Sequence, residues 1–445
     1  MTSTRFNRRL EARTIRRSAF GPPHPIMGLV IGRLMGLVIG LVLSGLLPQI
    51  ARAAPSAEVR IELITVGPGD ALFTRAGHAA LAVVEAWPDG REMTTVYNYG
   101  DADFGDPWLG PRFIFGVARF RLAISGDLYD TVEFYGPMQN RDVFRQRLAL
   151  TTMQAGRVAA ALQHTVLPEN REYPYHYLRR TCTTELRTLL DEVLGGTIHA
   201  QLSDPDPWTV RDYQQLTFDG DIATALLGDA VFGRAHEAQI DRFFAMMWPD
   251  RMRAYLQDVI VADPAGGGAM VPLASAPELL AERGGQPATV SPTRITYWFA
   301  PIAATLVMLG ALGLRRRSTT PTRLHGLWLL MWSLPLGAVG LLITLLSVAS
   351  SVPELGDNEL VLSLLATDLV LVSPGIAWLR GKTSVPRWLG RYAQVRLAVV
   401  GVATALHVVG VFVQQPWVIP PASLLCSVAL WWLAAGLSPR AQTDK

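Results

Sequence analysis

Cysteine is scarce in this chain of 445 residues: there are two, and only Cys182 lies outside the hydrophobic C-terminal third. With no second thiol nearby, Cys182 has no obvious disulfide partner. Charge is sparse as well. Only 17% of residues are Asp, Glu, Lys or Arg, while 50% are hydrophobic. That is too apolar for an ordinary soluble protein and too charged for a pure membrane bundle. No CxxC, no HExxH and no clustered His/Asp spacing occurs, so no metal is expected. A Gly-x-Ser-x-Gly elbow and a phosphate-binding loop are both missing, and nothing calls for a cofactor. No basic-aromatic patch of the kind that binds nucleic acid is present either.

What the N-terminus does contain is a leader. Arg5, Arg8, Arg9, Arg13, Arg16 and Arg17 form a basic run, and Arg33 precedes an apolar stretch over 34–47 of signal-peptide length. Ala51-Arg52-Ala53 reads as a cleavage site, so residues 1–53 are expected to be a signal peptide, with an uncleaved anchor as the alternative. Met-Gly-Leu-Val-Ile-Gly occurs at both 27–32 and 35–40, which leaves Met27 open as a second start. Residues 1–53 hold eight arginines and Glu11, so their loss moves the net charge from +3 to −4. The basic balance therefore belongs to the leader.

Beyond residue 297 come five apolar runs, at 297–314, 324–349, 360–380, 394–414 and 421–438, each near the ~20 residues that cross a bilayer. Arg315, Arg316, Arg317, Arg323, Arg380, Lys382, Arg387, Arg391 and Arg396 alternate along the chain with Glu354, Asp357 and Glu359. The positive-inside rule puts the arginines in the cytoplasm. Residues 54–296 then lie outside it, as the leader requires. Asp368 and His407 fall within spans, and counting ~1.5 Å per residue predicts that they meet at similar depth in the outer leaflet. Cys426 is expected to be a packing residue.

The exported stretch, 54–261, reads as mixed α and β. Residues 59–66 are apolar and β-branched, and 78–84 and 93–99 flank the turn signal Pro88-Asp89-Gly90. This predicts a strand and then a hairpin, with His78 at the start of its first strand and Asn98 near the same end. Residues 119–125 alternate like a strand, and Thr151-Thr152-Met153-Gln154 fits a capping box opening a helix to 166. Leu186, Leu189, Leu190, Val193 and Leu194 trace a buried helix face, closed by Gly195-Gly196. Thr181 would cap that helix and put Cys182 in its first turn, where unpaired N–H groups favour a thiolate. A further helix is expected near 236–258 and a flexible tether over 262–296. His164, His199 and His236 are expected at surface or cap positions. A strand-borne histidine that can reach a helix-terminal cysteine is the arrangement of thiol catalysis. A lone cysteine is also commonly a small buried hydrophobe.

Several motifs follow one another in a familiar order. They are Gly77-His78-Ala79-Ala80-Leu81, then Val96-Tyr97-Asn98-Tyr99-Gly100-Asp101-Ala102-Asp103-Phe104, Asn140-Arg141, and Pro168-Glu169-Asn170-Arg171-Glu172-Tyr173. Cys182-Thr183-Thr184-Glu185-Leu186-Arg187 comes next, and 208–213 and Met247-Trp248-Pro249-Asp250-Arg251 complete the set. In these the chain resembles the Lnb N-terminal periplasmic domain family. The resemblance implies a circularly permuted papain-like α+β domain, histidine strand before cysteine helix, followed by an α-helical transmembrane bundle. It implies Cys182 as nucleophile, His78 as base and Asn98 as the orienting group, with Asp101 and Asp103 as rivals for the last role. Arg187, Arg171, Asp103 and Tyr177 are the substrate-binding residues it implies. Where the family commonly has Asn before the cysteine, this chain has Thr181.

The implied activity is that of a thiol acyltransferase of the inner membrane. It would move a fatty acyl chain from a phospholipid or diacylglyceryl donor to the N-terminal amine of a lipoprotein acceptor. A periplasmic cysteine hydrolase, acting on cell-wall peptide or on lipid, would use the same dyad. An envelope scaffold with a structural Cys182 is the third reading.

Overall fold

The computed structural model describes residues 57–217, 222–285 and 298–437, so the expected signal peptide lies outside the described residues. The first part is built on an antiparallel sheet. Strand β1 (Glu58–Val66) is followed by β2 (His78–Ala86), β3 (Glu92–Asp101), α1 (Leu109–Ile114), β4 (Arg119–Ile124) and α2 (Leu128–Tyr135). Next come β5 (Val143–Arg147), α3 (Thr152–Thr165), β6 (Glu172–Pro174) and α4 (Cys182–Val193). Seven strands pair in the order β11-β5-β1-β2-β3-β4-β6, with β11 (Glu278–Ala281) closing one edge. The α+β class expected from the sequence is what the chain adopts.

Strand β1 is interior to the sheet, between β5 and β2, and its residues from Ile61 to Val66 are buried on both faces. Ile61 and Leu63 face Val158 and Leu162 of α3 and Leu186 and Leu190 of α4, whereas Ile64 and Val66 face Val132 and Tyr135 of α2. Each fully buried leucine here contributes about 1.5–3 kcal/mol. The predicted capping box of α3 is present, with Thr151 and Gln154 satisfying each other's backbone.

Between α4 and β11 the chain is more broken than its composition foretold. It makes α5 (Thr197–Gln201), β7 (Pro205–Thr209), α6 (Val210–Thr217), α7 (Ile222–Val231), β8 (Gln239–Asp241), α8 (Arg242–Ala245) and α9 (Pro249–Tyr255). The single helix expected at 236–258 is therefore two short helices and a strand, because Asp241 starts a new cap and Pro249 restarts the chain. The tether expected over 262–296 is also structured as far as 285. Strands β9 (Ile260–Ala262) and β10 (Met270–Pro272) form a hairpin before β11 joins the sheet. Composition misled there because β-pairing needs only backbone groups and two or three apolar residues.

The C-terminal part is helical: α10 (Phe299–Arg317), α11 (Arg323–Ala349), α12 (Pro353–Gly356), α13 (Val372–Leu379), α14 (Leu389–Val408) and α15 (Ile419–Gly436). Among the described residues three helices are long and apolar enough to cross a membrane, namely α10, α11 and α15. A bent pair, Pro353–Leu362 with Ala366–Leu379 at 54°, would make a fourth. Five spans were expected, and two of them differ. The third is broken, and α14, with Arg391 and Arg396 in its first half, does not reach the apolarity of a span.

The pairing expected inside the bundle is corrected too. Asp368 does not meet His407. Its carboxylate takes Arg396 Nε at 2.7 Å and Nη2 at 2.9 Å, both residues fully buried, with Tyr392 OH at 2.7 Å. His407 instead turns Nδ1 to Ala403 O at 3.0 Å, and its Nε2 lies 3.9 Å from Glu359. Counting depth at one α-helical rise per residue failed because Glu359–Leu362 and Ala366–Leu371 are 3₁₀ turns. Arg396 is not a cytoplasmic loop residue but lies within α14. Cys426 is buried among α15 neighbours as a packing residue.

Sheet part and bundle touch directly. Glu354 and Glu359, which lie between the apolar runs, are buried at this seam: Glu354 holds Arg179 at 2.9 Å and His176 at 3.1 Å. Asn358 Nδ2 donates to Ala230 O at 2.7 Å, and Gln414 Nε2 donates to Phe232 O at 3.0 Å. His236, expected at a surface or cap position, is fully buried there with Nε2 3.1 Å from Tyr177 OH. The arginines 315–317 and 323 sit at the opposite ends of α10 and α11 from this seam.

Candidate functional site

Helix α4 opens as its sequence demands. Thr181 is extended, its side chain accepts from Thr184 N, and Thr184 Oγ1 returns to Thr181 N at 2.7 Å. That reciprocal cap leaves Cys182 as the first helical residue, beside N–H groups that no earlier turn can satisfy. Thr183 Oγ1 donates to Met247 O, tying the helix tip to the segment before α9. The same segment braces the other half of the site, since a side chain at Gly77 would sit 3.1 Å from Pro249 Cγ.

Gly77 has φ of +88°, a conformation that turns the chain sharply into β2. His78 is the first residue of that strand. Its Nε2 lies 2.9 Å from Asn98 Oδ1, and Asn98 Nδ2 donates to Ser125 Oγ at 2.5 Å. Ser125 is 3.2 Å from Thr131 Oγ1, which donates to Asp127 O at 2.9 Å. An amide oxygen can only accept, so the Asn98 bond puts the proton on Nε2 and leaves Nδ1 to face the thiol. The ring also packs 5.3 Å from Tyr135, whose other neighbour is the buried Arg141 guanidinium.

The sulfur is half-buried and hydrogen-bonded to His78 and to the backbone N–H groups of Ala79 and Thr183. Burial by itself pushes the Cys182 thiol up, but the facing His78 imidazolium and these hydrogen bonds outweigh it. The net position is below an ordinary thiol. Strand alternation places His78 on the α2 face of the sheet, while α4 packs on the other face. They meet because both reach the end of the sheet at Gly100. There β3 bulges against β4, φ is +91°, and a side chain would stand 3.5 Å from Cys182 Cβ.

Of the residues singled out in the sequence, the fold thus gathers Cys182, His78 and Asn98. The rivals of Asn98 are engaged elsewhere: Asp101 pairs with Arg121 at 2.5 Å, and Asp103 accepts from Gly105 N in its own turn. Arg187 is buried, donates to Phe243 O at 2.8 Å and lies over the Phe243 ring. Tyr177 belongs to the seam with the bundle. Arg171 sits where β4 meets β6, its carbonyl accepting from Leu122 N at 2.9 Å. Arg187 Nη1 and Tyr177 OH are bonded to protein neighbours, whereas Arg187 Nε is buried without a hydrogen-bond partner.

Ser125, Tyr135 and Arg141 were missed as site residues. Only the Asn140-Arg141 motif pointed toward any of them, and it named no role. Arg141 is 2% exposed, donates from Nε to Gly67 O at 2.8 Å and leaves Nη2 without a partner. Burial draws it below the usual arginine range, and Tyr135, buried beside the site, is pushed up to about 12. Thr181 spends its hydroxyl on the cap and on Thr183 at 2.9 Å, so it does not replace the side chain of the family's usual Asn. Among the described residues no three His, Cys, Asp or Glu side chains converge as a metal site.

No curated protein and no solved structure matches the chain significantly. Residues 47–216 do match a family, the Lnb N-terminal periplasmic domain, and that stretch contains His78, Asn98 and Cys182. Over those residues the chain is similar to the Lnb N-terminal periplasmic domain, and helices long and apolar enough to cross a membrane follow that stretch.

Proposed function

We propose that this protein is a thiol-dependent acyltransferase of the bacterial inner membrane, with its site on the periplasmic side. The observation that carries the reading is the Cys182–His78–Asn98 arrangement on a domain bonded to apolar helices. His78 Nδ1 takes the thiol proton, and the sulfur attacks an acyl ester of a phospholipid or a diacylglyceryl group. The carbonyl oxygen gains negative charge at the N-terminal end of α4, where the helix dipole favours it. The C–O bond then breaks, the alcohol leaves with the proton from His78, and a thioester remains on Cys182.

In the second half the N-terminal amine of a lipoprotein attacks the thioester. His78 receives the amine proton, the C–S bond breaks and an amide forms. Asn98 keeps the ring in one tautomer through both halves, and Ser125 keeps Asn98 in place. A hydrolase would use the same residues with water as acceptor. The seam with apolar helices favours lipid, because a wall hydrolase needs only an anchor.

Intact-mass analysis of lipoproteins from cells with wild-type protein or Cys182→Ser tests the proposal. The added acyl mass is expected to vanish in the mutant. Its persistence would sink the acyltransferase reading.

A further inference from the structure

Between β3 and β4 the chain leaves a run of aromatic and aliphatic side chains uncovered. Phe104, Trp108 and Val117 are 57%, 63% and 60% exposed, with Ile114 and Phe115 beside them. Scattered apolar residues are normal on a surface, but a contiguous patch marks a contact. Here the patch is fastened to the bundle. Ser350 Oγ donates to Ile114 O at 2.8 Å, and Ser351 donates to Phe115 O from N at 3.1 Å and from Oγ at 3.0 Å. Gly116 allows this approach, since a side chain there would lie 2.5 Å from Ser351 Oγ.

The place of attachment fixes the depth. Ser350 caps the end of α11, whose 27 residues extend ~40 Å against ~30 Å of hydrocarbon. An upright α11 projects ~5 Å beyond the hydrocarbon at each end, so the patch hangs at the headgroup boundary, where Trp and other aromatics concentrate. From there aromatic rings continue inward. Phe104 stands 6.2 Å from Phe120, and Phe120 stacks at 4.0 Å on Tyr175. Phe113 lies 5.6 Å from Tyr175, and Phe113, Tyr175 and Cys182 line the same apolar core.

We infer that segment 104–117 is a lip inserted into the periplasmic leaflet, along which one acyl chain of a membrane glycerolipid reaches Cys182. The insertion rests on the seam and the exposed side chains. The passage of an acyl chain to the sulfur rests on the function proposed above.

Two measurements on the full chain separate these parts. In a Cys182→Ser/Cys426→Ala background, Trp108→Cys and Glu169→Cys are spin-labelled and reconstituted in phosphatidylethanolamine–phosphatidylglycerol vesicles. The label at 108 is expected to collide more with oxygen than with a water-soluble nickel chelate, and the label at 169 the reverse. Equal aqueous exposure of the two labels would overturn the insertion. With both native cysteines kept, Trp108→Glu/Phe115→Glu is expected to lower lipoprotein acylation by about tenfold or more while Cys182 alkylates at the wild-type rate. Unimpaired acylation in that variant would overturn the route. If wild-type protein transfers no acyl chain, the proposed function falls and the spin labels still decide the lip.

Discussion

His78 and Asn98, on adjacent antiparallel strands, meet at 2.9 Å through Nε2 and Oδ1, so the side of the imidazole facing Cys182 is set by the sheet. If Asn98 works by fixing the tautomer, Asn98→Ala should lower acyl transfer by about 10- to 100-fold. Ser125→Ala should cost less, since Asn98 keeps its own bond to the ring. Steady-state rates of both variants, with circular dichroism to confirm folding, check the ordering. Equal and complete loss in both would contradict it.

The thiol should titrate low. Because the imidazolium and hydrogen bonds overcome burial at Cys182, its folded pKa lies below that of a free thiol. Iodoacetamide alkylation should therefore rise through a midpoint under the ordinary thiol range. In His78→Ala the burial is unopposed by the ring, so the midpoint should move up. A pH–rate profile that is the same in both proteins would disprove the coupling.

Gly77→Ala should harm both stability and activity. The residue sits at φ +88°, and a Cβ would lie 2.8 Å from Val66 O, a backbone atom that cannot swing away. The left-handed conformation alone opposes alanine by about 1 kcal/mol, and the clash adds to it. Since His78 is the next residue, activity should fall further than the loss of folded protein explains. Thermal melts and the specific activity of the folded fraction measure the two effects separately.

Inside the bundle, Asp368→Ala should destabilise by about 3–5 kcal/mol, because it strands the Arg396 guanidinium, itself 0% exposed. The double change Asp368→Leu/Arg396→Met should recover much of that loss. Chemical unfolding in detergent gives the comparison. A double variant as weak as the single one would mean that the pair is more than a polar staple.

Acid should loosen the seam. Burial, and then Arg211 nearby, hold His236 down to about 3, against an ordinary value of 6.5. The folded protein therefore binds fewer protons than the unfolded chain between those values. Stability from this group is full above about pH 6.5 and falls by about 1.4 kcal/mol per pH unit as pH drops toward 3. His236→Phe should flatten that part of the stability curve. An unchanged slope would show that other groups govern it.

The local pieces are legible in the chain alone: β1 from its β-branched and apolar residues, the β2–β3 hairpin from Pro88-Asp89-Gly90, and α4 from Thr181, its leucine stripe and Gly195-Gly196. These depend on neighbours a few residues away, so periodicity and turn chemistry suffice to find them. Cys182 at a helix tip and His78 at a strand start are legible for the same reason. Their meeting around the sheet end at Gly100, and the place of Ser125 behind Asn98, come from long-range packing. Partner choice among charges was decided there as well. Asp368 takes Arg396, and Glu354 takes Arg179 and His176, because a buried charge pairs with whatever the fold brings within reach. Residue spacing along one chain carries no record of that distance.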